Sequence, residues 1–133
     1  MIVADASVVI TALLDDGPSG DTARGALLTE QSAAPEIVYA EVLSACRSLE
    51  RAGKVTARRA ELAVQDLMAM PLAIAPHRPL LPRCWQLRHD VTPFNGMYVA
   101  FAAVLDAVLT TADARLARAT GPTCTIHLVT EGH

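Results

Sequence analysis

The sequence begins with MIVADASVVITALL (residues 1–14), in which a short apolar strand leads directly into a helix. The strand is IVAD, and the run from about Ala6 to Leu14 is long enough for a helix. A strand without a polar face is typical of a parallel sheet that helices cover on both sides. Asp5 stands at the junction between this strand and this helix, so it is the first candidate functional residue.

The rest of the chain repeats this alternation. Further strands are predicted near Ser32–Ala34, in LAIAP (72–76), in AVLTTAD (107–113) and in CTIHLV (124–129). Helices are predicted over residues 21–31, from Pro35 to Gly53, from Thr56 to Met70, in LLPRCWQLRH (80–89), from VTP (91–93) onward and through Leu116. We therefore expect an α/β fold: a three-layer α/β/α sandwich with a central, mainly parallel sheet, as one domain over residues 1–133.

Composition narrows the class of protein. A chain of 133 residues, 52% hydrophobic and 19% charged, predicts one compact soluble domain. No apolar run reaches the roughly 18 residues of a membrane span, and the first residues lack a charged secretion signal, so we expect a cytoplasmic protein without membrane contact. The three cysteines, Cys46, Cys84 and Cys124, lie far apart, which argues against a zinc site. A net charge of −3 excludes a uniformly basic surface but allows a local basic patch.

Two acidic residues stand where predicted strands end. Asp5 follows the first strand, and Asp113 follows VLTTA. Functional groups of parallel sheets gather at the carboxyl ends of the strands, so both side chains point into one crevice if these strands are neighbours. Taken singly, each Asp is also an ordinary N-cap of the following helix.

Glu41 lies on the helix predicted after Pro35, on the apolar face that carries Ile37 and Ala45. A carboxylate on such a face is costly unless a cation or several donors compensate it, whereas a Glu at the edge of the face reaches water or an arginine. Three carboxylates in one crevice repel one another. A hard divalent cation with oxygen ligands, Mg²⁺ or Mn²⁺, is the usual remedy.

Together these residues resemble the PIN domain, and more narrowly the VapC-like toxins of bacterial toxin–antitoxin modules. The resemblance runs end to end. It rests on Asp5 with a hydroxyl two residues later at Ser7, on Glu41 within AEVLSA, on YVA within MYVAFA, and on TTADARLA. It implies a Mg²⁺- or Mn²⁺-dependent endoribonuclease that hydrolyses RNA, with a cognate antitoxin protein as partner and a homodimer as the assembly.

The resemblance also implies the site. Its metal-binding and catalytic residues map to Asp5, Glu41, Asn95 and Asp113, with Ser7 and Thr111 as supporting hydroxyls. One position departs from the family pattern, because an Asp is expected where Asn95 stands. An amide oxygen still coordinates a hard cation, but it carries no charge and cannot act as a base. A natural variant with weak metal binding and a substitution that silences a toxic nuclease both fit this amide.

Five basic residues cluster around the Gly53 turn and form a candidate phosphate-contacting patch: Arg47, Arg51, Lys54, Arg58 and Arg59. A solvated charged face, interleaved with Glu50 and Glu61, explains the same cluster equally well.

Two other readings stay open. A PIN-like domain that binds metal poorly would bind RNA or a protein partner without cutting, and Asn95 favours this alternative. A phosphorylated receiver domain also carries acids at strand ends, but it needs a Lys near its end, and the only Lys here is Lys54.

Overall fold

The computed structural model describes residues 1–129, and residues 130–133 of the predicted single domain lie outside the described residues. The strands are β1 (Ile2–Ala4), β2 (Ser32–Pro35), β3 (Leu72–Ala75), β4 (Val108–Thr111) and β5 (Ile126–Leu128). The helices are α1 (Ala6–Leu14), α2 (Pro18–Thr29), α3 (Ile37–Arg51), α4 (Ala57–Ala69), α5 (Leu81–Gln86), α6 (Pro93–Leu105) and α7 (Ala114–Ala117). A single 3₁₀ turn, Arg78–Leu80, precedes α5.

The five strands form one parallel sheet in the order β3-β2-β1-β4-β5. Parallel strands are joined by right-handed crossovers, so connections that run toward β3 lie on one face and those that run toward β5 lie on the other. By this rule α1 to α4 cover one face and α5 to α7 the other. The three-layer α/β/α sandwich predicted from the sequence is confirmed.

The core lies on both faces of β1, whose three residues are all buried. Helix α6 packs across β1, β2 and β4, and α1 packs against α2, α3 and α4. No helix among residues 1–129 has the length and hydropathy needed to cross a membrane. Because β1 and β4 are neighbours, the two junctions at their carboxyl ends lie side by side on this core.

The predicted start of α3 was wrong. Pro35 is the last residue of β2, where it pairs with Ala75 of β3, and α3 begins at Ile37. The N–H of Glu36 donates to Ala75 O at 3.0 Å, so the missing N–H of Pro35 would face β1 instead. Pairing of β1 with β2 ends at Ala33, so the proline costs no ladder bond.

Helices α2 and α5 also differ from the prediction. Helix α2 begins at Pro18, three residues earlier, because proline suits the first position of a helix and Gly17 precedes it as the N-cap. Helix α5 ends at Gln86 rather than running to His89. Neither difference moves a candidate site residue.

Candidate active site

The junctions after β1 and β4 bring Asp5 and Asp113 to the same edge of the sheet. The sequence left open whether their strands are neighbours, and the register shows that they are, because Ala4 pairs with Thr110. The backbone N–H of Asp5 donates to Thr110 O at 3.1 Å. Both acids are also helix N-caps, Asp5 of α1 and Asp113 of α7. The roles of helix N-cap and of crevice residue are therefore compatible, because both acids cap a helix and both line the same cavity.

Asp5 is held by three donors. Thr111 Oγ1 donates to Asp5 Oδ2 at 2.5 Å, while Ser7 Oγ donates to Oδ1 at 2.6 Å and Val8 N donates to Oδ1 at 3.1 Å. The residue is only 3% exposed. Burial raises the pKa of Asp5, the Ser7, Thr111 and Val8 hydrogen bonds lower it partway back, and the charge of Asp113 raises it again. Three donors thus hold the carboxylate in place, and its burial makes the charged form costly.

Two hydroxyls connect Asp5 to the turn that carries Asp113. Ser7 Oγ accepts from Ala112 N at 2.8 Å and lies 3.1 Å from Thr111 Oγ1. Thr111 Oγ1 in turn accepts from Asp113 N at 2.9 Å. Ser7 and Thr111 therefore link the two acids through hydrogen bonds, while the supporting role that the resemblance implies for them stays a prediction.

Glu41 approaches the same crevice from α3. It is half-buried, and its Oε1 accepts a 2.6 Å hydrogen bond from the hydroxyl of Tyr98. Burial raises the pKa of Glu41, the Tyr98 hydrogen bond lowers it partway back, and the charge of Asp5 raises it. Glu41 therefore has a specific donor in Tyr98, and among the described residues it forms no ion pair with an arginine.

Tyr98 was not predicted as a functional residue. It is 1% exposed, and burial together with the Glu41 carboxylate raises the pKa of Tyr98 far above its ordinary value, so the phenol remains a donor. A sequence signal exists: Tyr98 follows Asn95 by three residues, so the two share a helix face.

Asn95 occupies the first turn of α6. Its backbone N–H donates to Thr92 Oγ1 at 3.2 Å, and Thr92 is the N-cap, as predicted. Its side chain nevertheless lines the cavity that contains Asp5, Glu41 and Asp113. Asn95 is thus both a first-turn residue and a member of the acidic cluster.

The four candidate side chains share one cavity of about 210 Å³, which we call the acidic cavity; its lining residues are Asp5, Ala6, Ser7, Ile10, Glu41, Asn95, Tyr98 and Asp113. Its polar side chains are carboxylates, hydroxyls and one amide, and the oxygen atoms of these groups are suitable ligands for Mg²⁺ or Mn²⁺. Among residues 1–129 no three His, Cys, Asp or Glu side chains are grouped closely enough to hold a metal ion by themselves. The carboxylates therefore line the cavity but are too far apart to bind one ion by themselves. The chemistry of the lining, oxygen ligands with negative charge, is what fits a hard cation.

The basic residues around Gly53 divide into two groups. Arg47, Arg51 and Lys54 are exposed. Arg58 lies 3.8 Å from Glu61 in an exposed ion pair, and Arg59 Nη2 lies 2.9 Å from Asp16 Oδ1. Arg59 thus forms a close ion pair within the chain and Arg58 a longer one, whereas the other three basic residues are exposed.

A sequence model of the PIN domain family matches residues 2–122. A Mycobacterium tuberculosis protein named ribonuclease VapC1 is 40% identical over 128 residues, which cover 96% of each chain. Another from the same organism, named ribonuclease VapC9, is 33% identical over 129 residues, covering 97% of this chain and 98% of the relative. A solved toxin–antitoxin complex from Klebsiella pneumoniae contains a chain with the same fold, at a TM-score of 0.65 and 15% identity, over 98% of this chain and 99% of that one.

Proposed function

The chain belongs to the PIN domain family, and we propose that it is the toxin of a toxin–antitoxin pair, an endoribonuclease that hydrolyses RNA phosphodiesters with Mg²⁺ or Mn²⁺. Relatives named as ribonucleases over nearly the full chain support the reaction. The observation that carries the proposal is the convergence of Asp5, Glu41, Asn95 and Asp113 on one cavity at the carboxyl ends of β1 and β4.

In this proposal Asp5, Asn95 and Asp113 hold the cation, and Glu41 serves as a further ligand or as the base. A divalent ion supplies a Lewis acid for a phosphate oxygen and lowers the pKa of the attacking water. The chain's own residues orient these groups: Ser7 and Thr111 fix Asp5, and Tyr98 fixes Glu41. The raised pKa of Glu41 makes it a stronger base than an ordinary Glu and suits a group that accepts a proton from water.

We further propose that the RNA follows α3 from the acidic cavity toward the Gly53 turn. Glu41 and Arg51 stand on the same helix, about 15 Å apart along its axis. Arg47, Arg51 and Lys54 are exposed at the far end and available to phosphates, whereas the ion pair with Asp16 argues against the same role for Arg59.

The proposed partner is an antitoxin whose tail reaches the acidic cavity, with an arginine that neutralises its carboxylates. Two features support it: the unbalanced charge of Asp5 and Glu41, and the exposed apolar side chains of the first four helices, among them Leu28 and Met68. A homodimer and a cytoplasmic location, with the free thiols of Cys46, Cys84 and Cys124, complete the proposal.

Asn95 supports a second candidate function, a PIN-like domain that binds RNA or a protein partner without cutting. With an amide at this position the acidic cavity has three carboxylates, and a weakly held cation would leave the domain catalytically silent.

Induced expression in a bacterial host tests the toxin proposal. We expect the parent protein to arrest growth and degrade cellular RNA, and Asp5→Asn, produced at the same level, to do neither. Growth arrest by both proteins would point to sequestration of a target rather than to cleavage.

A further inference from the structure

A second cavity, of about 340 Å³, shares Glu41 with the acidic cavity. Its other lining residues are Ile37, Ala40 and Ser44 of α3 and Phe94 of α6. We call it the Phe94 cavity. Because one side chain belongs to both linings, a ligand that extends out of the acidic cavity past Glu41 enters the Phe94 cavity.

Phe94 is 56% exposed in the first turn of α6. A ring at this exposure contributes little to the core, so its apolar face is available to a ligand. The next residue, Asn95, lines the acidic cavity. Two consecutive residues of α6 therefore face two adjoining cavities, one of them polar and acidic and the other walled by an aromatic ring.

We propose that the Phe94 cavity binds one unstacked nucleobase of a single-stranded RNA, next to the phosphate that lies in the acidic cavity. The inference rests on the proposed ribonuclease function, which places a phosphodiester at Asp5 and Asn95. One sugar links a base to its own phosphate, so a single nucleotide spans two adjoining cavities of this kind.

The lining has the chemistry that single-stranded RNA recognition uses. Unstacked bases stack on aromatic rings and hydrogen-bond through their edges. Phe94 provides the ring, Ile37 and Ala40 provide an apolar wall, and Ser44 provides a hydroxyl that donates to or accepts from a base edge. The Phe94 cavity is therefore a specificity site for the nucleotide beside the scissile phosphate.

RNA affinity tests the inference without requiring cleavage. The probe is a 5′-labelled, random-sequence single-stranded RNA pool, measured by fluorescence anisotropy with Ca²⁺ as the hard cation. We expect Phe94→Ala to weaken binding by about 5- to 150-fold, the usual effect of losing one stacked base, and Phe94→Trp to retain it. Trp85→Ala is the matched control, because Trp85 is an aromatic residue 67% exposed that lines neither cavity.

A second arm identifies the base. In an RNA that the parent binds well, each base is removed in turn to leave an abasic nucleotide. One abasic position should cost the parent as much affinity as Phe94→Ala does, and should cost Phe94→Ala nothing more.

Unchanged RNA affinity in Phe94→Ala, or a loss no larger than that of Trp85→Ala, overturns the inference and leaves the Phe94 cavity to a protein partner. No abasic position coupled to Phe94 overturns it as well. If the parent binds the RNA but fails to cut it in Mn²⁺, the result counts against the proposed cleavage. The base site is then still decided by the RNA affinities of the parent and of Phe94→Ala.

Discussion

The hydroxyl of Tyr98 on α6 donates a 2.6 Å hydrogen bond to Oε1 of Glu41 on α3, and the two residues lie 57 positions apart in sequence. Tyr98 therefore ties the carboxylate on α3 to α6. It is a positioning residue, because it acts on the acidic cavity through Glu41.

Tyr98→Phe keeps the buried ring and removes only this donor. We expect it to raise the pKa of Glu41 further, to destabilise the fold by about 0.5–1.5 kcal/mol, and to weaken Mn²⁺ binding by about 10–100-fold. A ¹³C NMR titration of the Glu41 carboxyl in EDTA and Mn²⁺ calorimetry measure the two main effects. If neither the pKa of Glu41 nor the Mn²⁺ affinity changed, Tyr98 would be a core residue without a positioning role.

Glu41→Gln should stabilise the metal-free protein at neutral pH. Burial raises the pKa of Glu41 above its ordinary 4.5, so the unfolded chain releases this proton at lower pH than the folded protein does. Between these two pKa values the free energy of unfolding falls as pH rises, and above both the penalty is constant. Urea unfolding in EDTA should show the variant gaining on the parent as pH rises above about 4.5. A variant less stable than the parent at neutral pH would make Glu41 a structural residue.

Asn95→Asp should destabilise the metal-free protein and let Mn²⁺ restore it. A fourth carboxylate in the acidic cavity repels Asp5 and Asp113, and a cation that binds only the folded state offsets this by mass action. Mn²⁺ affinity should rise at least about 10-fold. If Asn95 were only a first-turn residue, the new charge would instead add roughly 0.3–1 kcal/mol of stability in EDTA through the helix dipole. Thermal melts in EDTA and in millimolar Mn²⁺ show whether Asn95→Asp is less or more stable than the parent without metal, and whether Mn²⁺ restores it.

Arg51→Ala and Arg59→Ala should differ in how salt affects RNA binding. Each phosphate contact to a single strand contributes about 0.7 to the slope of log affinity against log salt. We expect Arg51→Ala to lose about that much, and Arg59→Ala, whose guanidinium pairs with Asp16, to keep the parent slope. Equal slopes for both variants and the parent would favour a solvated charged face over an RNA path.

The features that local signals encode were predictable from the sequence. Residues next to each other in the sequence determine two of these boundaries. They are the end of the apolar β1 at Asp5 and the start of α6 at Thr92 and Pro93. The start of α3 was not. It depends on the pairing of Pro35 with Ala75, and on His77, whose Nε2 accepts from Ile37 N at 3.0 Å across 40 positions. Such contacts between distant segments leave no mark in either segment taken alone.

The candidate site divides in the same way. Asp5 and Asp113 could be considered together in advance because parallel strands end at one edge. Glu41 was singled out by its place on an apolar helix face, and the metal-binding role of Asn95 came from a family resemblance. The Tyr98 donor and the Phe94 cavity emerge only when α3 and α6 are brought together. The catalytic roles of all four cavity residues stay predictions until they are measured.

Cleavage of a 5′-labelled single-stranded RNA by the parent and by Asp5→Asn, purified side by side, tests the central claim most directly. The variant keeps the size and shape of Asp5 while it removes the charge and replaces one acceptor oxygen with a donor amide. We predict cutting by the parent in Mn²⁺, none in EDTA, and a rate at least about 100-fold lower in Asp5→Asn. Cutting in EDTA, or equal rates for the two proteins in Mn²⁺, would contradict a metal-dependent ribonuclease site at Asp5.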